Sequence, residues 1–118
     1  METVGRGIAI KGQEGTDYQR CFFPGFCVLP SGRWIVSCRP GYLRNNNFNQ
    51  RVFASYSDDQ GKIWSVPFSP FNSEEVNGEL CVFRGAYLTP LEGSKILSSL
   101  CWVGFTRPEL PLFNEKVE

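Results

Sequence analysis

Three observations predict an all-β fold. Proline (8) and glycine (12) interrupt the 118-residue chain so often that no long stretch keeps helical periodicity. The segments between them are short and rich in Val, Ile, Phe, Tyr and Trp, residues that suit a pleated, half-buried surface. One hairpin-like pattern also occurs twice, offset by about 60 residues.

Taken in order, "GIAI" at 7–10 is a short candidate strand. Strands 22–29 and 33–39 flank "LPSGR", a hairpin turn whose glycine suits a positive φ. The polar loop "PGYLRNNNFNQ" (40–50) leads to a strand at 51–57. In "RVFASYS", Val52, Ala54 and Tyr56 alternate with Arg51, Phe53, Ser55 and Ser57 across the two faces. A fourth strand is expected at 63–68. After a surface crossing at 69–79, strands 82–89 and 95–103 flank a second glycine turn, "PLEGSK".

The two hairpins align as a repeat. "GFCVLPSGRWIVS" from Gly25 matches "GAYLTPLEGSKILS" from Gly85, pairing Pro30 with Pro90, Gly32 with Gly93, Ile35 with Ile96 and Ser37 with Ser98. A four-stranded antiparallel sheet repeated along a chain is the signature of a propeller blade. The expected organisation is an N-terminal segment at 1–21 with a candidate ring-closing strand, then a first blade at 22–68. An inter-blade crossing at 69–81 and an incomplete second blade at 82–118 follow. A closed ring of several blades of this length needs far more residues than one and a half blades supply, so the sequence reads as the N-terminal part of a longer propeller.

Composition narrows the function. Lys+Arg and Asp+Glu balance at 12 each, which gives no electrostatic footprint for nucleic acid or an anionic membrane surface. No apolar run reaches the ~18 residues of a membrane span, and no signal peptide stands out, so a cytoplasmic location is expected. The chain has no histidine. That removes the commonest general base, Ser–His and Cys–His couples, and the usual zinc ligand. No metal or cofactor is expected. The five cysteines show no C-x-x-C spacing and mostly sit in apolar runs, as reduced core thiols do.

The most patterned stretch is "SYSDDQGKIWS" at 55–65. Ser57, Asp59, Gly61 and Trp64 spell S-x-D-x-G-x-x-W between two strands. A short aspartate can accept from the amides of its own turn, glycine permits a left-handed backbone, and an indole can cover the corner. A calcium loop needs alternating oxygen ligands ending in glutamate, which this stretch lacks. A catalytic pair would need to face a cleft. A structural turn is the better reading.

These four residues resemble the Asp-box of the sialidase/BNR-repeat superfamily, and "FPGFCVLPSGRWIVSCR" resembles the first two strands of a sialidase-type blade. The resemblance covers roughly residues 20–103. It implies a partial sialidase-like β-propeller of about one and a half four-stranded antiparallel blades. The box would be a structural corner, and the remaining blades of a full-length chain would be its partners. It also implies that the protein binds or hydrolyses carbohydrate, by glycoside hydrolysis if it is catalytic. The alternative is a non-catalytic scaffold that binds glycans or proteins.

Sialidases of this superfamily hold a substrate carboxylate with three arginines and use a Tyr–Glu nucleophile pair with an aspartate acid/base. Phe22 stands where the first arginine would be, and a phenyl ring cannot form a bidentate carboxylate pair. Arg39 matches the second arginine. The 40–50 loop has no acid where the aspartate would follow; Asn45 stands about there, and an amide cannot donate a catalytic proton. The catalytic residues are therefore unassigned, and Tyr56 and Tyr87 read as packing residues. The candidate sugar-binding residues are Arg39, Arg44, Asn45 and Arg84. Arg44 and Asn45 lie in a loop that also carries Tyr42, Asn46, Asn47 and Asn49, the mix of donors, acceptors and an aromatic face that sugars need. Arg84 lies at an inner-strand end, beside a propeller's central funnel.

Overall fold

The structure is a computed structural model that describes residues 2–16, 18–41, 51–71, 75–76 and 79–105; at 75–76, 79–82, 84 and 102–105 it describes the backbone alone. Among the described residues, six strands form two antiparallel sheets. The first contains β1 (Arg20–Val28), β2 (Trp34–Gly41) and β3 (Phe53–Ser57), in that order. The second contains β4 (Glu75–Val76), β5 (Glu79–Pro90) and β6 (Ile96–Phe105). No helix occurs among the described residues.

Both hairpins close through five-residue connections. In the first, the Leu29 amide donates to the Arg33 carbonyl at 2.8 Å; in the second, the Leu91 amide donates to the Lys95 carbonyl at 2.9 Å. Gly32 (φ 89°) and Gly93 (φ 66°) take the left-handed conformations that the sequence calls for. The repeat frame differs from the sequence alignment, however. Val28 pairs with Trp34, and Pro90 pairs with Ile96, so Pro30 lies within a turn while Pro90 still belongs to a strand. By distance from the turn, Ile35 corresponds to Leu97 and Ser37 to Ser99. The proline match misled because proline is tolerated both inside turns and at strand ends.

Each hairpin also carries a β-bulge that the sequence reading did not anticipate. Phe22 pairs with Arg39 and Gly25 with Ser37, so Phe23 and Pro24 together oppose Cys38. Phe83 pairs with Trp102 and Ala86 with Leu100, so Arg84 and Gly85 oppose Cys101. A bulge is where a strand tolerates a residue without an N–H, which accounts for Pro24.

The expected strand at 63–68 is reduced to a single bridge. Ala54 and Phe68 exchange both backbone bonds (2.8 and 2.9 Å), and the Ser65 amide reaches the Tyr56 carbonyl at 2.8 Å. Pro67 has no amide to donate to a ladder. Serine side chains take over instead: Ser55 Oγ donates to the Ser65 carbonyl at 2.8 Å, and Ser65 Oγ accepts from the Tyr56 amide at 3.0 Å. The "GIAI" segment forms no strand; Ala9 and Ile10 make a bend.

The two sheets pack face to face, with β5 lying across β1 and β2. Their closest approach is at the bulges. Ser37 Oγ donates to the Ala86 carbonyl at 2.9 Å across the interface, a buried bond. A Cβ on Gly25 would overlap that same carbonyl oxygen and lie 2.5 Å from Ser37 Oγ, so this contact requires glycine. A Cβ on Gly85 would lie 3.3 Å from the Phe23 Cβ. The buried apolar residues are mostly small: Cys27, Leu29, Cys38, Val52, Ala54 and Ala86. Several larger apolar side chains, Phe26, Val28, Tyr87 and Leu97, are exposed. Tyr87, expected to be a packing residue, is 66% exposed.

Candidate functional site

Ser57, Asp59, Gly61 and Trp64 form one closed network at the end of β3. Ser57, at the end of β3, is buried. Its Oγ donates to Asp59 Oδ1 at 2.8 Å and accepts from the Gly61 amide at 2.8 Å. Asp59 Oδ1 also accepts from the amides of Lys62 (3.1 Å) and Ile63 (2.9 Å). Gln60 (φ 60°) and Gly61 (φ 86°) turn the chain through the left-handed region. Trp64 Nε1 donates back to the Gly61 carbonyl at 3.0 Å. The ring of Trp34 closes the other side, its Cζ3 lying 3.1 Å from where a Gly61 Cβ would project. This carboxylate oxygen is therefore engaged by the donors of its own turn. Beside the corner, Arg33 clamps Asp58 with two bonds of 2.7 and 2.8 Å, and its guanidinium lies 4.3 Å from the Tyr56 ring centroid.

The corner predicts an acid-sensitive stability. The Ile63 amide, followed by the Ser57 hydroxyl and the Lys62 amide, holds the Asp59 carboxyl below its ordinary 3.8. The Arg33 bond does the same for Asp58. Both carboxyls are depressed in the folded state. Their contribution is thus complete above the unfolded value and is lost as pH falls through the folded values. The melting temperature should be flat from neutrality to about pH 5 and decline below about pH 4. Asp59→Asn keeps an acceptor without the titration, so its acid decline should be shallower in a thermal melt series.

The candidate sugar-binding residues separate into two groups. Arg44 and Asn45, with Tyr42, Asn46, Asn47 and Asn49, lie outside the described residues. Arg39 pairs with Phe22 beside the bulge of β1, and position 84 lies in the bulge of β5. Arg39 extends from β2 and is fully buried, its guanidinium 5.1 Å from the Phe22 ring centroid and 5.2 Å from that of Phe23. Charge over an aromatic face is favourable and gains strength where water is excluded. Arg84 occupies the bulge of β5, next to Gly85, which faces the Phe23 Cβ.

Phe23 is the residue that sequence reasoning missed. Its φ of 52° is uncommon for a bulky side chain, and it occurs at the bulge. The bulge re-aims the phenyl ring onto Arg39. Its signal in the sequence was "FFPG", a proline–glycine pair inside a run of strand formers. Phe22, noted only as a replacement for an arginine, is the second wall of the same cluster.

The thiols divide by exposure. Cys27 and Cys38 are buried as expected, whereas Cys21 and Cys101 are exposed; the side chain of Cys81 lies outside those described. Burial pushes the Cys38 thiol well up, and a hydrogen bond with Cys21 adds to this. Burial alone raises Cys27. Neither buried thiol has the low pKa that makes a nucleophile. Among the described residues, no group of three or more His, Cys, Asp or Glu is arranged to hold a metal ion. No helix there is long and apolar enough to cross a membrane.

Compared with protein-family models, curated proteins and solved structures, the chain matches none.

Proposed function

We propose that the two sheets are neighbouring blades of a sialidase-like β-propeller whose inner-strand ends bind carbohydrate. The observation that carries this reading is the Asp-box corner. All four signature residues hydrogen-bond or pack as one unit at the end of β3, which pairs with the bulged β1–β2 hairpin. A second bulged hairpin follows and stacks face to face on the first. Arg39 lies beside the bulge of β1, and position 84 lies in the bulge of β5. By residue type both carry the guanidinium chemistry that suits sugar hydroxyls or carboxylates, although Arg39 is fully buried against Phe22 and Phe23.

In the enzymatic form of this reading the protein hydrolyses a glycosidic bond, with the acid/base and nucleophile on further blades. A non-catalytic scaffold is the second reading, and Phe22 favours it, since it stands where a carboxylate-binding arginine would be. A panel of fluorogenic glycosides, run beside a glycan-binding screen, separates the two. Turnover supports the hydrolase, and binding without turnover supports the scaffold. Neither binding nor turnover across the panel would remove the carbohydrate reading altogether.

A further inference from the structure

Phe23 holds a backbone conformation that glycine would take more readily. Its φ of 52° lies in the left-handed region, where a bulky side chain is crowded and seldom found. Such a conformation persists only where the surroundings fix it, and residues of this kind gather at ligand-binding sites. Core packing does not account for the phenyl ring, because Phe23 is 38% exposed.

The ring is held from two sides. Behind it, Arg39 is fully buried, with its guanidinium over the rings of Phe22 and Phe23. No part of Arg39 reaches water, so the exposed part of Phe23 lies away from the guanidinium. Beside it stands Gly85, buried in the bulge of β5. Gly85 is not one of the glycines with a positive φ, so its backbone does not call for glycine. A Cβ there would come within 3.3 Å of the Phe23 Cβ and 3.8 Å of its Cγ, so the small residue serves the close approach of Phe23.

An exposed aromatic ring that is already fixed loses little freedom when something stacks on it. It offers apolar area and asks for no hydrogen bond. A pyranose matches it: the C–H groups of the sugar ring form an apolar face, and the hydroxyls around the rim keep their water. A carboxylate does not match. The Arg39 guanidinium lies behind the phenyl rings, and an anion laid on them would lose water without gaining a donor.

We propose that Phe23 stacks a neutral pyranose on the part of its ring turned away from Arg39. The inference rests on the carbohydrate reading above and narrows it to sugars without a carboxylate.

Calorimetric titration of the protein with methyl galactoside and methyl glucoside tests it, each sugar run beside the uronide that carries a carboxylate at C6. The neutral glycoside should bind at least as tightly as its uronide, and its affinity should hold within about twofold between low and high salt, because no charge is paired. A uronide that binds tighter, with affinity falling as salt rises, would overturn the assignment. Phe23→Tyr keeps the ring and should bind within about threefold of the wild type. Phe23→Gly accepts the same φ without strain and should lose at least about tenfold in affinity while staying folded by circular dichroism. The wild type supplies a readout that needs no variant: the C–H protons of the bound sugar should shift upfield in the ring current and show nuclear Overhauser contacts to the Phe23 ring. Binding that survives Phe23→Gly, or sugar protons without the upfield shift, would overturn the stacking alone. No binding by any sugar would overturn the carbohydrate reading and the stacking with it.

Discussion

Gly25→Ala should destabilise the protein by about 1–3 kcal/mol, the range for overpacking a close-packed contact. The added methyl meets the Ala86 carbonyl and Ser37 Oγ, and a backbone oxygen held by a sheet cannot swing aside as the end of a long side chain can. The sheets must separate, and the Ser37–Ala86 bond is lost with them. Gly5→Ala is the control, since nothing lies within 4 Å of its added Cβ; it should stay within about 0.5 kcal/mol. Urea denaturation midpoints measure both. A double-mutant cycle sharpens the test. Ser37→Ala alone leaves a buried carbonyl without its donor, whereas in the Gly25→Ala background it should add little, because that bond is already broken. A neutral Gly25→Ala would mean that the sheets do not meet at the bulges.

Ser57→Ala should cost a similar amount, about 1–3 kcal/mol, because its buried hydroxyl serves two partners at once. The Gly61 amide loses its acceptor at a left-handed turn, and Asp59 loses one of the donors that hold its charge. The second loss has its own signature. With the hydroxyl gone, the Asp59 carboxyl should titrate closer to its ordinary value, by NMR of its side-chain carbon. Sugar binding in this variant should follow stability alone. Binding lost at an unchanged melting temperature would place the Asp-box in the site rather than at a structural corner.

The sequence made the turns legible because their chemistry is local. Gly32, Gly61 and Gly93 are where a positive φ is needed, and Ser57, Asp59 and Trp64 satisfy a corner from within eight residues. Register was less legible. The second hairpin has five pairs between bulge and turn where the first has four, a difference set by where the ladder slips rather than by any one residue. The expected fourth strand depended on apolar content and gave too little weight to Pro67. At the candidate site, Arg39 was legible only through the resemblance, as the match of the second arginine. Its burial between two phenyl rings depends on a bulge whose geometry only the paired strands define.

The most direct test of the carbohydrate-binding assignment is an NMR titration of the labelled chain with acidic and neutral saccharides, read residue by residue. Shifts should concentrate at Phe22 and Phe23, at Arg39 to Gly41, and at Arg84 and Gly85, while the amides of Asp59 to Ile63 stay in place. Shifts confined to the Asp-box corner, or none with any sugar in the panel, would contradict it.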